Sequence, residues 1–346
     1  MPREFFSSKR VLVTGGCGTV GKELISQLVH HYDVGDLVVI DNNESELFFQ
    51  GEIYREFPNV HFYLADIRDE RALARKMGSV DIVFHTAAFK HVGLCEQVPF
   101  EAVQTNILGV ENVVRAAVKK GVSKVIFTSS DKAVNPTNVM GTSKLMGERL
   151  ITAANVEYKD SGCIFASTRF GNVLGSRGSV IPIFKNQITT GAAITLTHEQ
   201  MTRFIMSIEQ SVQLIIDSAM IAQGGEVLVT KMPIIKIMDL AEVMITELAG
   251  RAGREPKDIK IDIIGVKPGE KLYEELMTGE ETGRALELAK YFVVKPAIMS
   301  RFADVKYEFA DLVSSEVTNP YNSSSESALS QSELKEFLYS ANLMGE

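Results

Sequence analysis

The residues of this chain best suited to moving protons fall close together: Ser130, Asp131 and Lys132, with Lys144 twelve positions further on. A carboxylate beside an amine can take a proton from one reacting group and deliver one to another. The run before them, Val125 to Phe127, reads as a buried strand, and Lys144 falls on the helix that follows. Polar groups gathered at the carboxyl end of such a strand, next to a nucleotide site, are where an open α/β sheet does its chemistry. The competing reading of Asp131 is an Asx turn ahead of Asn135-Pro136.

Those residues need a cofactor and a scaffold, and the start of the chain supplies both. Lys9 to Val13 reads as a first strand, running into Thr14-Gly15-Gly16-Cys17-Gly18-Thr19-Val20-Gly21 and an apolar-periodic helix from Leu24 to Val29. Glycines there let the backbone turn tightly and approach a pyrophosphate, which then meets the free N–H groups of the helix amino terminus. Asp41 ends a second strand, Leu37 to Ile40, about 20 residues on, as the dinucleotide fingerprint requires. Its carboxylate suits the adenosine ribose and would repel a 2′-phosphate. Asn42 and Asn43 follow with no arginine or lysine, so the expected dinucleotide is NAD rather than NADP. A dinucleotide and an Asp-Lys pair together suggest oxidation of an alcohol by hydride transfer, the cofactor doing the hard step and the protein handling protons.

Further elements frame the same site. After a third strand, Val60 to Leu64, Asp66 beside Ile67 either accepts from the adenine amino group or caps the next helix. A fourth strand, Val80 to His85, ends in Ala87 and Ala88, small enough to pass under a cofactor, and in Lys90-His91. Lys90 is a candidate for a phosphate or a sugar hydroxyl, with solvated surface as the alternative. Asn106 either caps a helix or fixes the active-site backbone. That helix, Asn106 to Val118, sets Val110, Val113, Val114 and Ala117 on one face. With the helix from about Gly141 to Tyr158 it offers a dimer surface.

The expected architecture is α/β: a Rossmann-type doubly wound parallel sheet over residues 1–172, to which 205–235 return, and a smaller α/β C-terminal substrate lobe over 173–313. Residues 314–346 read as a flexible serine-rich tail, with a capping box, Ser330 to Glu333, opening a short helix, Leu334 to Leu338. A net charge of −8 argues against a nucleic-acid or acidic-membrane partner. Three separated cysteines and six scattered histidines suggest neither a disulfide framework nor a metal site. No signal peptide or apolar span is apparent, so a soluble, cytoplasmic protein is expected.

The chain resembles the extended short-chain dehydrogenases/reductases, and among them the nucleotide-sugar 4,6-dehydratases acting on N-acetylglucosamine nucleotides in bacterial surface-glycan and nonulosonic-acid synthesis. The matching stretches are Thr14 to Gly21, Ala88 to Val92, Ser130 to Gly141, Arg169 to Pro182, Thr197 to Phe204 and Lys267 to Glu275. Short-chain dehydrogenases pass the alcohol proton to the tyrosine of a Tyr-x-x-x-Lys pair. Here Met140 stands in the tyrosine place and Lys144 in the place of the lysine that holds the nicotinamide ribose. Methionine cannot carry a proton, and Asp131, nine residues upstream, is the available substitute.

The resemblance implies oxidation at sugar C4, removal of the C5 proton, loss of the C6 hydroxyl as water and return of hydride to C6. NAD is then recycled each turnover and stays tightly bound. It further implies that Asp131 takes the C4 hydroxyl proton and protonates the leaving oxygen, that Ser130 hydrogen-bonds the C4 oxygen, and that Lys132 is the C5 base. Lys132 must be neutral to act, so a lowered pKa is expected. Met140, Asn172, Ser179, Arg203, Lys267 and Glu270, with Lys90, are implied to face the nucleotide-diphosphate N-acetylhexosamine. Lys267 replaces an expected arginine and loses its bidentate fork. The Asn138 to Gly141 pattern resembles C5-retaining members. Uridine is the default base, and guanosine is used by some relatives in legionaminic acid synthesis. The family's larger members carry an amino-terminal membrane region, so the soluble forms are the match, as homodimers or higher homo-oligomers. The rival readings are a nucleotide-sugar 4-epimerase and a non-catalytic NAD(H)-binding regulatory protein.

Overall fold

The computed structural model describes residues 3–176, 178–266 and 269–344. The first half alternates strand and helix. Strands β1 (Arg10–Thr14), β2 (Asp36–Asp41), β3 (Val60–Leu64), β4 (Ile82–His85), β5 (Lys124–Ser130) and β6 (Ile164–Phe170) are parallel, in the spatial order β3-β2-β1-β4-β5-β6. Successive strand residues point to opposite faces. Val11 and Val13 therefore enter one apolar cluster, with the helices Thr19–His30 and Ile208–Ile221. Leu12 enters the other, with the helices Gly109–Lys120 and Val139–Glu157. A sheet covered on both faces explains why β1, β4 and β5 read as near-continuous apolar runs.

After β6 the alternation breaks. Strands β7 (Asn172–Val173), β8 (Ile194–Leu196) and β9 (Thr202–Met206) leave the large sheet, and β10 (Val227–Thr230) rejoins it parallel to β6. Next come β11 (Ile234–Lys236), β12 (Ile261–Ile263), β13 (Glu275–Met277), β14 (Ala285–Leu288), β15 (Tyr291–Val294), β16 (Leu312–Ser314) and β17 (Tyr321–Asn322). Strands β15, β14 and β16 extend the large sheet beyond β10 in that order, each antiparallel to its neighbour. Residues 285–313, placed in the substrate lobe by sequence, thus return to the main sheet as an antiparallel flank, together with Ser314 at the start of the expected tail.

The tail is also firmer than its composition suggests. Strand β17 pairs antiparallel with β13, Ser323 is wholly buried, and the Tyr321 hydroxyl donates to the Met232 carbonyl at 3.0 Å. The closing helix spans Gln331–Ser340, with Ser330 and Glu333 forming its capping box. Leu334 and Leu338 on its inner face are fully buried against the helices Val180–Thr190 and Ile237–Leu248. Each such leucine is worth roughly 1.5–3 kcal/mol of burial. Serine-rich composition foretold flexibility, but these apolar anchors and backbone pairings outweigh it.

Candidate active site

Chain order reverses between β1 and β4, and the loops leaving their carboxyl ends part to form a crevice. Gly15 turns there with φ +69°, and a Cβ at this position would lie 2.7 Å from the Ala87 backbone, so only glycine fits. Gly18 precedes the helix Thr19–His30 without a side-chain cap, leaving the first N–H groups directed at the cleft. Beneath the loop, Thr14 Oγ1 meets His85 Nδ1 at 2.7 Å and accepts from Ala87 N–H at 3.3 Å. Burial pushes the His85 pKa down to about 3, with Lys144 adding to the effect, so this imidazole is a neutral prop.

A hollow of ≈ 310 Å³ beside Gly15 and Gly18 is lined by Asp41, Asn42, Asp66, Ile67, Ala87 and Ala88. Asp41 accepts from Cys17 N–H at 2.9 Å and Asn43 N–H at 3.0 Å, which ties the glycine loop to β2. Asp69 rather than Asp66 caps the next helix, accepting from Ala72 N–H, so the cap reading of Asp66 is corrected. Asp66 forms a fork with Arg68 at 2.7–3.1 Å, and that guanidinium holds its carboxyl below the usual range. This set fits an adenosine dinucleotide: a cradle that a Cβ would fill, a helix amino terminus with no side-chain cap and a carboxylate at the far end.

The main cleft, ≈ 940 Å³, joins that site to the reaction centre and the smaller lobe. Its walls bring together Gly15, Gly18, Thr19, Val20, Gly21, Ala88 and Lys90 from the cofactor side, with Ser130, Lys132, Met140 and Lys144. Asn172, Ser179, Arg203 and Glu270 close it from the lobe. Gly16 and Asn106 lie behind these walls. Lys267 falls outside the described residues. Asn106 does not cap: it accepts from Phe89 N–H at 2.8 Å and donates to Phe89 O and to Ser143 Oγ, both at 2.9 Å. It sits in a widened π turn, Gln104–Leu108, that runs directly into the helix Gly109–Lys120, so the helix expected from Asn106 to Val118 is present and opens on a π turn.

At the end of β5 the chain makes one 3-10 turn, Asp131–Ala133, before Asn138 caps the helix Val139–Glu157 by accepting from Gly141 N–H. A Cβ on Gly141 would strike the Lys132 carbonyl, so glycine lets helix and turn touch. Asp131 is fully buried and lies behind the cleft wall. Its Oδ1 accepts from Ser130 Oγ at 2.7 Å and Lys132 Nζ at 3.0 Å, while Oδ2 has no partner. Lys144 Nζ donates to Thr128 O at 2.9 Å, and burial lowers its pKa to about 8 against the pull of Glu148.

One expectation is corrected here. Burial works to lower the Lys132 pKa, but Asp131 and then Glu274 outweigh it, and the net shift is upward. Arg203 lines the cleft, yet most of its fork is spent inside the protein. It donates to Thr202 O at 2.7 Å, Leu272 O at 3.2 Å and Lys271 O at 2.9 Å. Sequence reasoning missed Glu274, a 3% exposed carboxylate whose Oε1 lies 3.7 Å from Lys132 Nζ and 3.6 Å from Arg203 Nε. Its only signal was a place in the acidic-basic run from Lys267 to Glu275.

A family model described as "Polysaccharide biosynthesis protein" matches residues 11–296. An uncharacterized membrane protein of Methanocaldococcus jannaschii is 48% identical over 84% of this chain and 87% of its own length. A UDP-N-acetylglucosamine 4,6-dehydratase (inverting) of Campylobacter jejuni is 35% identical over 88% of this chain and 87% of that protein. A UDP-glucose 4-epimerase of Rickettsia canadensis is also 35% identical, over 99% and 98%. Among solved structures, Pen from Bacillus thuringiensis superposes with a TM-score of 0.89 and 42% identity over 97% of this chain and 98% of its own. The dTDP-glucose 4,6-dehydratase DesIV from Streptomyces venezuelae, solved with NAD bound, gives 0.66 at 22% identity over 76% and 86%, a likeness of fold alone.

Proposed function

Because the chain belongs to the polysaccharide biosynthesis family of extended short-chain dehydrogenases/reductases, we propose that it removes water from a nucleotide-activated N-acetylglucosamine to give the 4-keto-6-deoxy sugar. The observation that carries this reading is the contact of Lys132 Nζ with Asp131 Oδ1 at 3.0 Å, beside a methionine, Met140, where an epimerase of this fold needs a phenol. A C4 epimerase has no use for a second base.

NAD, when held along the Gly15 to Gly21 loop and at Asp41, supplies acceptance of hydride at C4 and its return at C6. The protein handles the protons. Ser130 Oγ faces the cleft and donates to Asp131, so the C4 hydroxyl proton passes through Ser130 to the buried carboxylate. Lys132 removes the C5 proton that a C4 ketone acidifies, after giving to solvent the resting proton that Asp131 and Glu274 favour on it. Asp131 then protonates the departing C6 oxygen. Lys132 returns its proton to the face from which it came, which retains the C5 configuration. Lys144 holds the nicotinamide ribose, and Met140, Asn172, Ser179, Arg203 and Glu270 with Lys90 line the space for the sugar nucleotide.

The test is mass spectrometry of the purified protein incubated separately with UDP- and GDP-N-acetylglucosamine, with no cofactor added. Loss of one water from either supports the dehydratase with resident NAD and names the base. An isobaric product with a new sugar configuration favours the epimerase, the reading that the Rickettsia relative supports. Proton exchange at C5 in deuterated water with an inverted product would overturn retention.

A further inference from the structure

A lysine does stand at the Asp41 end of the dinucleotide hollow, brought there by an element that the residues following β2 do not reveal. Lys22 lies one turn into the helix Thr19–His30, its N–H donating to Gly18 O at 2.9 Å. Glu46 lies in the first turn of the helix Glu44–Ile53, its N–H donating to Asn43 Oδ1 at 3.1 Å. The two side chains meet, Lys22 Nζ donating to Glu46 Oε2 at 2.5 Å. Cys17 N–H and Asn43 N–H both donate to Asp41. These contacts close a ring around one corner of the site, from Asp41 through Cys17, Gly18, Lys22, Glu46 and Asn43 back to Asp41.

Three charges therefore share that corner, and all of them act on the thiol of Cys17, which lines the hollow. Burial pushes this thiol up to about 12, with Asp41 and Glu46 adding to the rise and Lys22 opposing it. Lys22 and Glu46 keep 29% and 26% of their side chains exposed, so it is the partner, not burial, that holds the ammonium in place. At the other end of the hollow Arg68 is spent in the same way, on Asp66 and Glu101.

NADP differs from NAD by a 2′-phosphate, a group that a free ammonium attracts and a carboxylate repels. Two carboxylates and one ammonium leave the corner with a net negative charge; without Glu46 the charges would balance. We infer that Glu46 is a positioning residue for cofactor choice: by holding Lys22 it withholds the ammonium from a 2′-phosphate, and so completes the preference for NAD that Asp41 begins. NAD, whose 2′-hydroxyl is neutral, loses no attraction by this. The inference rests on the dinucleotide site and not on the reaction of the sugar.

The experiment holds wild type, Glu46→Gln and the double variant Glu46→Gln/Lys22→Met with equal concentrations of NAD and NADP until the bound ratio is constant. Gel filtration and mass spectrometry of the released dinucleotides read that ratio without turnover, and thermal melting establishes folding. Glu46→Gln should raise bound NADP over NAD about tenfold, the effect of one charge at a partly screened distance. Added salt should shrink the gain, and Lys22→Met should cancel most of it. Glu46→Ala, which cannot accept from Lys22 at all, should give at least the same gain and stands in if Glu46→Gln fails to fold. An unchanged ratio overturns the inference. So does a gain that survives Lys22→Met, because Glu46 would then act by its own charge alone. Equal loss of both dinucleotides would mark the pair as scaffold and overturn it as well. Wild type that takes up neither dinucleotide would overturn the cofactor site, and the inference with it.

Discussion

Lys144 carries its charge where water scarcely reaches, 6% exposed over the ring of Phe127. Burial lowers its pKa from 10.5 to about 8. The folded state therefore binds fewer protons than the unfolded chain between those values, and stability rises with pH across that window. Wild type should gain about 3 kcal/mol relative to Lys144→Met from below pH 8 to above 10.5, measured by urea denaturation of both proteins. At the neighbouring turn, Lys132→Ala should abolish water loss, by about 10²–10⁴-fold, while substrate still generates NADH absorbance; loss of that absorbance too would mean Lys132 acts earlier. Asp131→Asn and Ser130→Ala should both slow NADH formation, and an unaffected Ser130→Ala would remove serine from the proton path. The Asp-Lys pair was legible because its two members are adjacent in sequence. Glu274 was not, since it comes from a lobe loop more than a hundred residues away and is one of many acidic residues. The burial of Asp131 behind Ser130 was equally hidden, because residue type does not report depth.

At the scale of elements, the two lobes are riveted by a buried charge cluster. Arg169, on β6, is 1% exposed and donates to Glu148 at 2.6 and 2.9 Å, to Glu281 at 3.0 Å and to the Leu276 carbonyl at 2.8 Å. Glu148 belongs to the helix that carries Lys144, and Glu281 to the short helix Gly279–Thr282 after β13. Arg169→Met leaves two buried carboxylates without their partner and should cost about 3–5 kcal/mol in urea unfolding. Replacing all three charges by apolar residues of similar volume should recover most of that loss; no recovery would mean that packing, not charge, sets the cost. The parallel strands and first helices were legible from apolar runs and glycine spacing. The antiparallel flank was not, because β14 is only four residues long and β16 only three and largely exposed, and both take their pairing from tertiary context.

Over the whole molecule, apolar side chains stand outside on and beside the two helices expected to meet a second copy: Leu108 and Met146 on them, and Leu94, Val98, Phe100 (83% exposed) and Val103 on the segment just before, which carries the short helices Val92–Gln97 and Pro99–Val103. Light scattering should give at least a dimer mass, and Phe100→Glu should lower it while leaving the far-ultraviolet spectrum unchanged; an unaltered mass would move the interface elsewhere. Among the described residues no helix is long and apolar enough to cross a membrane. The segment that seats Ser323 behind Glu274 also sets a clock. Synthesis at about 5–20 residues per second leaves on the order of ten to forty seconds between emergence of the Asp131 turn and of Ser323 from the ribosome. During that interval a nascent chain already owns the glycine loop, but the carboxylate beside its amine lacks the seat that Ser323 provides. The reaction centre is thus completed from the last part of the chain to be made.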